Sequence, residues 1–268
     1  MTDRRPICKV SHPLPHVLLI TLDREKQLNA IDNQGHWELD DIVCRFEEDE
    51  SLWVAILTGT GRAFCAGADL KEWLTSTTST EGRTSRNSSM PAGGFGALSN
   101  RSLRKPVIAA VNGIAFGGGM EILANCDMVI VSEQARLGLP EVKRGVSASA
   151  GALPRLSRTL GIQRASEMAL TGRVILPLEA VSWGIVNKVV PHAQLMDTAL
   201  AVARELIQNS PDSIIYTKAA LREGLGVEEA TRKTNSEWKK RLDASENLIE
   251  GLTAFSAKRA PKWSNPKL

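Results

Sequence analysis

The segment "GIAFGGGMEILANCD" (113–127) places three consecutive glycines, Gly117, Gly118 and Gly119, directly before an apolar run that predicts a helix. Each glycine costs roughly 0.5–1 kcal/mol relative to alanine inside a regular element, so the triplet indicates a need for bare backbone. A helix that begins here directs unpaired N–H groups and the positive end of its dipole outward. The segment therefore predicts either an anion-stabilising site or a close helix–strand contact that excludes side chains.

A second glycine-containing turn follows another predicted strand. In "WVAILTGTGRAFCAGADLKEW" (53–73) the strand leads into a turn around Cys65, Ala66 and Gly67. The glycine triplet matches neither the P-loop nor the dinucleotide-binding pattern. Two backbone N–H donors that converge from separate turns are what an oxyanion hole requires. The presence of two such turns therefore favours an oxyanion hole over a packing contact alone.

Two glutamates occupy constrained positions near these turns. Glu121 lies two residues after the triplet, and Glu141 follows Pro140 in "RLGLPEV" (136–142). The proline fixes φ near −65° and lacks an N–H, which restricts the chain at this point. A single glutamate is most often a solvated or capping residue, whereas paired carboxylates are typical of general acid–base catalysis. Both glutamates are therefore candidate catalytic residues.

Apolar segments alternate between strand and helix patterns, which predicts an α/β fold. Uninterrupted, β-branched runs predict buried strands at 16–22, 53–59, 105–113 and 127–133. Helical spacing first appears at Leu39, Ile42, Val43 and Phe46, and it dominates after about residue 155. We therefore predict an α/β core over residues 1–200 and a C-terminal helical subdomain over 201–268.

The segment 75–89 contains ten serines or threonines in fifteen positions, so it has little apolar surface to bury. Excursions of this kind are often lids or pocket walls. We expect the depth of a substrate pocket to depend on the stretch 73–100, including Trp73 and Phe95.

The composition limits the classes of partner. The 268 residues include 33 Lys and Arg against 30 Asp and Glu, a net charge of +3, which does not require a polyanionic partner such as nucleic acid. Four separated cysteines and four separated histidines signal neither a disulfide framework nor a metal site. No apolar run has the length of a membrane span, so we expect a soluble intracellular protein. The terminal Pro-Lys-Leu resembles the peroxisomal Ser-Lys-Leu address, which leaves peroxisome, mitochondrion and cytoplasm open.

The chain resembles the crotonase superfamily, the enoyl-CoA hydratase/isomerase family, nearly from end to end. The similar segments, in order, are "LDREKQLNAID", "GRAFCAGADLKE", "AAVNGIAFGGGMEILANCD", "ALTGRVILPLEAVSWGIVNKVVP" and "IEGLTAF". The resemblance implies a spiral of ββα repeats with a C-terminal helical trimerisation subdomain. It also implies a homotrimer or a hexamer built as a dimer of trimers, with no membrane partner.

The resemblance further implies a reaction. The amides of Cys65 and Gly118 would polarise the thioester carbonyl of an acyl-CoA, while Glu121 and Glu141 hold a water between them. Retention of both glutamates favours a hydratase that adds water to a 2-enoyl-CoA. A Δ3,Δ2-enoyl-CoA isomerase, another acyl-CoA lyase or hydrolase, and a non-catalytic RNA-binding homologue remain the alternatives.

Substrate contacts follow from the same resemblance, which implies no cofactor beyond the coenzyme A of the substrate. For the lysines among them, an ordinary solvated side chain is the alternative. The chain departs from the family where Ala148 and Ser149 replace a Pro-Gly pair, which narrows the pocket and puts the acyl group in question. The implied substrate and CoA contacts are Lys26, Gln27, Leu28, Ala63, Ala66, Gly67, Ala68, Asp69, Leu70, Gly117, Pro140, Ala148, Ser149, Phe255 and Lys258.

Overall fold

A computed structural model describes most of the chain. The described residues are 5–70, 72, 90–99, 103–144, 148, 150–223, 241, 245–247, 250 and 259–267. Within those ranges, no helix is both long enough and apolar enough to cross a bilayer.

The described strands form two sheets. Their bounds are β1 (Cys8–Leu14), β2 (Val17–Leu22), β3 (Val54–Gly59), β4 (Ala63–Cys65), β5 (Val107–Val111), β6 (Ile114–Phe116), β7 (Met128–Ser132), β8 (Arg136–Gly138) and β9 (Lys188–Val190). The larger sheet has the order β1-β2-β3-β5-β7-β9, and the smaller has the order β4-β6-β8. Among the paired strands that the structure describes, β1 and β2 run antiparallel and the other pairs run parallel.

The chain alternates between the sheets and so builds a spiral. Strands β3, β5 and β7 lie in the larger sheet, and each is followed within a few residues by a strand of the smaller sheet. The central strands are buried on both faces, as their uninterrupted apolar sequences predict. The predicted α/β class is confirmed.

Helices surround the sheets. Their bounds are α1 (Asn33–Glu48), α2 (Gly118–Asn125), α3 (Ala152–Leu160), α4 (Ile162–Thr171), α5 (Pro177–Ser182), α6 (Leu195–Ile207) and α7 (Pro211–Glu223). Helix α1 begins where the Asp32 carboxylate accepts a bond of 2.9 Å from the Gly35 amide, and it buries the predicted Leu39, Val43 and Phe46. Helix α2 starts within the glycine triplet, as the sequence predicts.

The predicted division at residue 200 falls inside α6. Ala199 and Val202 of this helix pack in one cluster with Val54 and Ile108 of the larger sheet, so α6 contacts the core on both sides of position 200. The two-part division stays a prediction. Trp73 and the segment 75–89 lie outside the described residues.

Candidate active site

The glycine triplet joins β6 to α2. Gly117 adopts a φ of 56°, which favours glycine, and Gly118 is the first helical residue. A Cβ on Gly119 would lie 2.0 Å from the carbonyl oxygen of Cys65, so this position excludes every larger residue. Close packing is therefore part of the reason for the triplet. It does not remove the donors, because the amides in the first turn of a helix have no intrahelical acceptor.

The two glycine-containing turns contact each other. A Cβ on Gly67 would lie 3.0 Å from the Gly118 nitrogen and 2.9 Å from the Phe116 carbonyl oxygen, and Gly67 adopts a φ of 97°. The turn after β4 is thus pressed against the first amide of α2. This is the arrangement on which the predicted convergence of two backbone donors depends.

In the turn after β4, two residues are candidates for the second backbone N–H donor of an oxyanion hole. Cys65, the predicted one, is fully buried in β4 in register with Ala115. The amide of Ala66 donates to Leu28, and the amide of Asp69 donates to Ile31. Ala68 is bridged to Ile31 through the bonds of its two neighbours, so its own N–H points away from Ile31. The crotonase resemblance implies a coenzyme A contact for Ala68, whereas its main chain makes it a second candidate donor.

Glu121 is buried on the first turn of α2, with 4% of its surface exposed. Its Oε1 accepts bonds from the amides of Ala150, at 2.7 Å, and Ala152, at 3.5 Å, at the start of α3. Burial raises its pKa to about 7; the nearby charge of Glu141 adds to the rise, and the two amide bonds oppose it. Glu121 can therefore exchange a proton near neutral pH.

Glu141 lies on a 3-10 turn, Pro140–Arg144, that follows β8. A Cβ on Gly117 would lie 3.3 Å from its Oε1, which places the carboxyl at the triplet. Burial raises the pKa of Glu141, and its own main-chain amide opposes the rise. Its Oε2 is buried with no hydrogen-bond partner among the described residues. The two predicted glutamates therefore meet at one junction, and each is more basic than a solvated carboxylate.

The predicted coenzyme A contacts come from two segments that the fold brings together. Lys26 and Gln27 lie on a 3-10 turn after β2, and Leu28 follows with a φ of 53°. This turn is tied to the second segment because Leu28 accepts from the Ala66 amide at 3.0 Å. The buried Asn29, which sequence reasoning missed, adds a bond of 2.7 Å from its Nδ2 to the Ala63 carbonyl. Its left-handed φ of 57° fits asparagine, but only the tertiary contact identifies its role.

The remaining candidates divide in two. Ala148 is buried near the start of α3, and Leu70, after the turn that follows β4, is 49% exposed. Ser149, Phe255 and Lys258 lie outside the described residues. The sequence analysis assigned no role to the Ala150 and Ala152 amides, although Gly151, which lies between them, is a residue type that can cap a helix N-terminus.

A cavity of about 810 Å³ lies elsewhere, beside the C-terminal end of α2. Its charged lining residues are Arg155, Arg158, Lys218, Arg222 and Asp127, of which the last accepts ion pairs from Lys218 and Arg222. None of the described candidate residues lines it. Among the residues that the structure describes, no three His, Cys or carboxylate side chains are grouped to hold a metal ion.

Comparison with known proteins places this arrangement in a family. The family model described as "Enoyl-CoA hydratase/isomerase" matches residues 15–266. The chain belongs to the enoyl-CoA hydratase/isomerase family. The crotonase resemblance predicted from the segments is thereby confirmed.

Members of the enoyl-CoA hydratase/isomerase family with assigned reactions are similar along nearly the whole chain. A mevalonyl-coenzyme A hydratase of Aspergillus fumigatus is 47% identical, covering 97% of this chain and 96% of its own. A carnitinyl-CoA dehydratase of Proteus mirabilis is 40% identical, covering 92% and 94%. The crystal structure of an enoyl-CoA hydratase from Bacillus anthracis has a TM-score of 0.88 and 35% identity, covering 97% of this chain and all of that one. These relatives support a lyase acting on coenzyme A thioesters, and the last confirms the crotonase-like α/β fold.

Proposed function

We propose that this protein adds water reversibly across the double bond of a 2-enoyl-CoA, using two glutamates and a backbone oxyanion hole. One observation carries the proposal: the buried Glu121 and the half-buried Glu141 both lie at the junction that presents the Gly118 amide. An isomerase needs only one such acid, whereas hydration uses two groups to move a water proton and a C2 proton. Paired carboxyls with raised pKa values suit proton transfer at neutral pH.

In the proposed reaction, Glu121 and Glu141 together gain one proton and lose one. One carboxylate takes a proton from the bound water as the water oxygen bonds to C3 of the enoyl group. The electron pair of the double bond moves toward the thioester oxygen, and the second carboxyl, protonated beforehand, delivers a proton to C2. Transfer of one proton between the two glutamates then restores the starting state.

Backbone amides would stabilise the charge that builds on the thioester oxygen. Gly118 supplies one N–H at the start of α2, where the helix dipole adds to its effect. The second comes from the turn after β4, from Cys65 as first predicted or from Ala68. Loss of one such donor typically costs about 2.7–4 kcal/mol of transition-state stabilisation.

The named relatives suggest a substrate class. Mevalonyl-CoA and carnitinyl-CoA both carry a hydroxyl on C3 and a further polar group along the acyl chain. We propose a substrate of this kind, a short 3-hydroxyacyl-CoA with a polar end, and mevalonyl-CoA is the first compound to test. By the same resemblance, we propose that the protein assembles as a trimer or hexamer, which light scattering would measure directly.

A thioester panel tests the proposal. Mevalonyl-CoA, carnitinyl-CoA, crotonyl-CoA and a 3-enoyl-CoA are compared by ultraviolet absorbance of the conjugated thioester. We expect reversible hydration to exceed isomerisation, with the highest kcat/KM for a substrate with a polar end. A higher rate of double-bond migration than of hydration would instead establish the isomerase.

The glutamates are tested in the same assay. Glu121→Gln and Glu141→Gln should each lower kcat by about 10²–10⁴ while coenzyme A still binds. Glu133→Gln, at an exposed glutamate, is the matched control. Full activity in either active-site variant would contradict the two-carboxyl mechanism.

A further inference from the structure

Phe95 packs its ring tip directly on the first residue of α2. A Cβ on Gly118 would lie 2.2 Å from both Cε1 and Cζ of Phe95, so the ring occupies the space that any side chain at 118 would need. Phe95 begins a 3-10 turn, Phe95–Ala97, and is 8% exposed. An aromatic ring thus lies in van der Waals contact with the residue whose amide is the proposed oxyanion donor.

Helix α1 holds this turn in place. The Gly96 amide donates to Nδ1 of His36 at 3.2 Å, and the Gly93 amide donates to Oδ1 of Asp40 at 3.1 Å. The His36 ring meets the Phe95 ring edge to face, with centroids 4.5 Å apart. Since His36 and Asp40 are one helical turn apart, a single face of α1 fixes both the backbone of the turn and the ring of Phe95.

The His36 ring can accept the Gly96 hydrogen bond without a change of charge near neutral pH. Burial lowers its pKa to about 4, an effect that the nearby Asp32 only partly offsets. The imidazole is therefore neutral at neutral pH, and the bond that Nδ1 accepts from the Gly96 amide assigns the ring proton to Nε2. The contact does not change over the pH range in which the enzyme would work.

The Phe95–Ala97 turn has an unfavourable backbone conformation, and it contacts α2 at a second residue. Ala97 has a left-handed φ of 63°, which is unfavourable for a residue with a Cβ, so surrounding contacts must maintain it. A Cβ on Gly96 would lie 2.4 Å from Cδ1 of Ile122, one helical turn beyond Gly118. The turn therefore fits closely along the first turn of α2.

We propose that Phe95 is a positioning residue for the oxyanion hole: its ring fixes the Gly118 peptide and forms the apolar wall beside the thioester carbonyl, and His36 and Asp40 position Phe95. The inference rests on the proposed function, because it assigns the Gly118 amide to the thioester oxygen. It predicts that the site is sensitive to both loss and addition of atoms at the ring tip.

Two substitutions at Phe95 test the inference, with a matched control in the core. Phe95→Leu removes the ring tip, and Phe95→Tyr adds a hydroxyl at Cζ, one of the two ring atoms that lie nearest to the Cβ position of Gly118. Phe46→Leu removes a buried ring from α1 without a contact to Gly118, so it reports the effect of lost stability alone. Because a misplacement of about 1 Å can cost about 10²-fold, we expect both Phe95 variants to lower kcat by about ten- to a hundredfold.

Ligand binding separates a positioning role from a structural one. Acetoacetyl-CoA can lose a C2 proton to the buffer and then carries enolate charge on its thioester oxygen, which ultraviolet absorbance detects. Coenzyme A alone lacks the carbonyl. We expect the Phe95 variants to reduce the bound enolate fraction about tenfold or more, to bind coenzyme A as wild type does, and to leave KM nearly unchanged.

The outcomes are distinct. If wild type does not favour the enolate at all, the proposed oxyanion hole is wrong, whatever the variants do. If wild type favours it and both Phe95 variants match wild type, the positioning role is refuted while the function stands. An equal loss in Phe46→Leu would likewise refute it, because stability alone would then explain the effect.

Discussion

Replacing Glu121 with glutamine should lower kcat by about 10²–10⁴ and at the same time stabilise the fold. Burial raises the pKa of Glu121 from 4.5 to about 7. At 1.36 kcal/mol per pKa unit, this difference corresponds to about 3 kcal/mol by which the ionised carboxylate destabilises the folded state. Glutamine carries no charge, and its side-chain oxygen can still accept the bond from the Ala150 amide, which lies 2.7 Å from Oε1 in the wild type.

The effect has a defined pH dependence. Between pH 4.5 and about 7 the folded protein holds the Glu121 proton more tightly than the unfolded chain does. The free energy of unfolding therefore falls as pH rises through this window, and the destabilisation is fully present above about pH 7. Below pH 4.5 the carboxyl is protonated in both states, so the advantage of glutamine disappears.

Chemical denaturation at pH 8 and pH 5 measures this difference. We expect Glu121→Gln to raise the free energy of unfolding by about 2–3 kcal/mol at pH 8 and by well under half of that at pH 5. Glu133→Gln makes the same charge change at an exposed site and should alter it by less than about 0.5 kcal/mol. The reasoning fails if Glu121→Gln gives no stabilisation at pH 8, or an equal one at both pH values.

Two further substitutions probe the packing around the site. Gly119→Ala would place a Cβ 2.0 Å from the Cys65 carbonyl oxygen. We therefore expect it to lower the free energy of unfolding by about 2 kcal/mol or more and to lower kcat. The control is Ala124→Ser at the far end of the same helix, which should change neither quantity by much. Lys218→Met removes a buried ammonium that contacts Asp127 and the Lys105 carbonyl, each at 2.7 Å. Because Arg222 still pairs with Asp127, we expect denaturation to show a free energy of unfolding lower by about 1–3 kcal/mol, with kcat unchanged. A large fall in kcat for Lys218→Met in the folded protein would show that the cavity near Asp127 is coupled to the reaction.

Long elements with one strong signal could be predicted from the sequence. Strands β3, β5 and β7 are uninterrupted apolar segments because both of their faces are buried, and α1 shows its helical spacing because one face is exposed. The strands of the smaller sheet escaped prediction because each has only three residues, too few for a period to appear. They nevertheless set the position of Gly118.

The site residues that could be predicted are likewise those with a local sequence signal. Glu121 and Glu141 are marked locally, by a triplet and a proline, and the structure brings them together. The sequence identifies Phe95 only as part of a candidate pocket wall and does not identify His36, because the contacts of both residues join segments more than twenty residues apart. The sequence does not distinguish the Cys65 amide from the Ala68 amide as the second donor, because the distinction depends on the bridge from Ala68 to Ile31.

The packing and catalytic interpretations of the glycine triplet are not alternatives. Gly119 is required by the Cys65 carbonyl and Gly118 by the Phe95 ring, and each contact presses a neighbouring segment against the start of α2. An amide can stabilise a developing charge only if it does not move when the charge appears, and close packing on both sides is what prevents that movement. The free energy lost to bare backbone, to the buried Glu121 and to the left-handed Ala97 is therefore concentrated where rigidity is needed. Substitutions that relax this packing should then lower kcat before they lower affinity for coenzyme A, which is the pattern expected of Phe95→Leu.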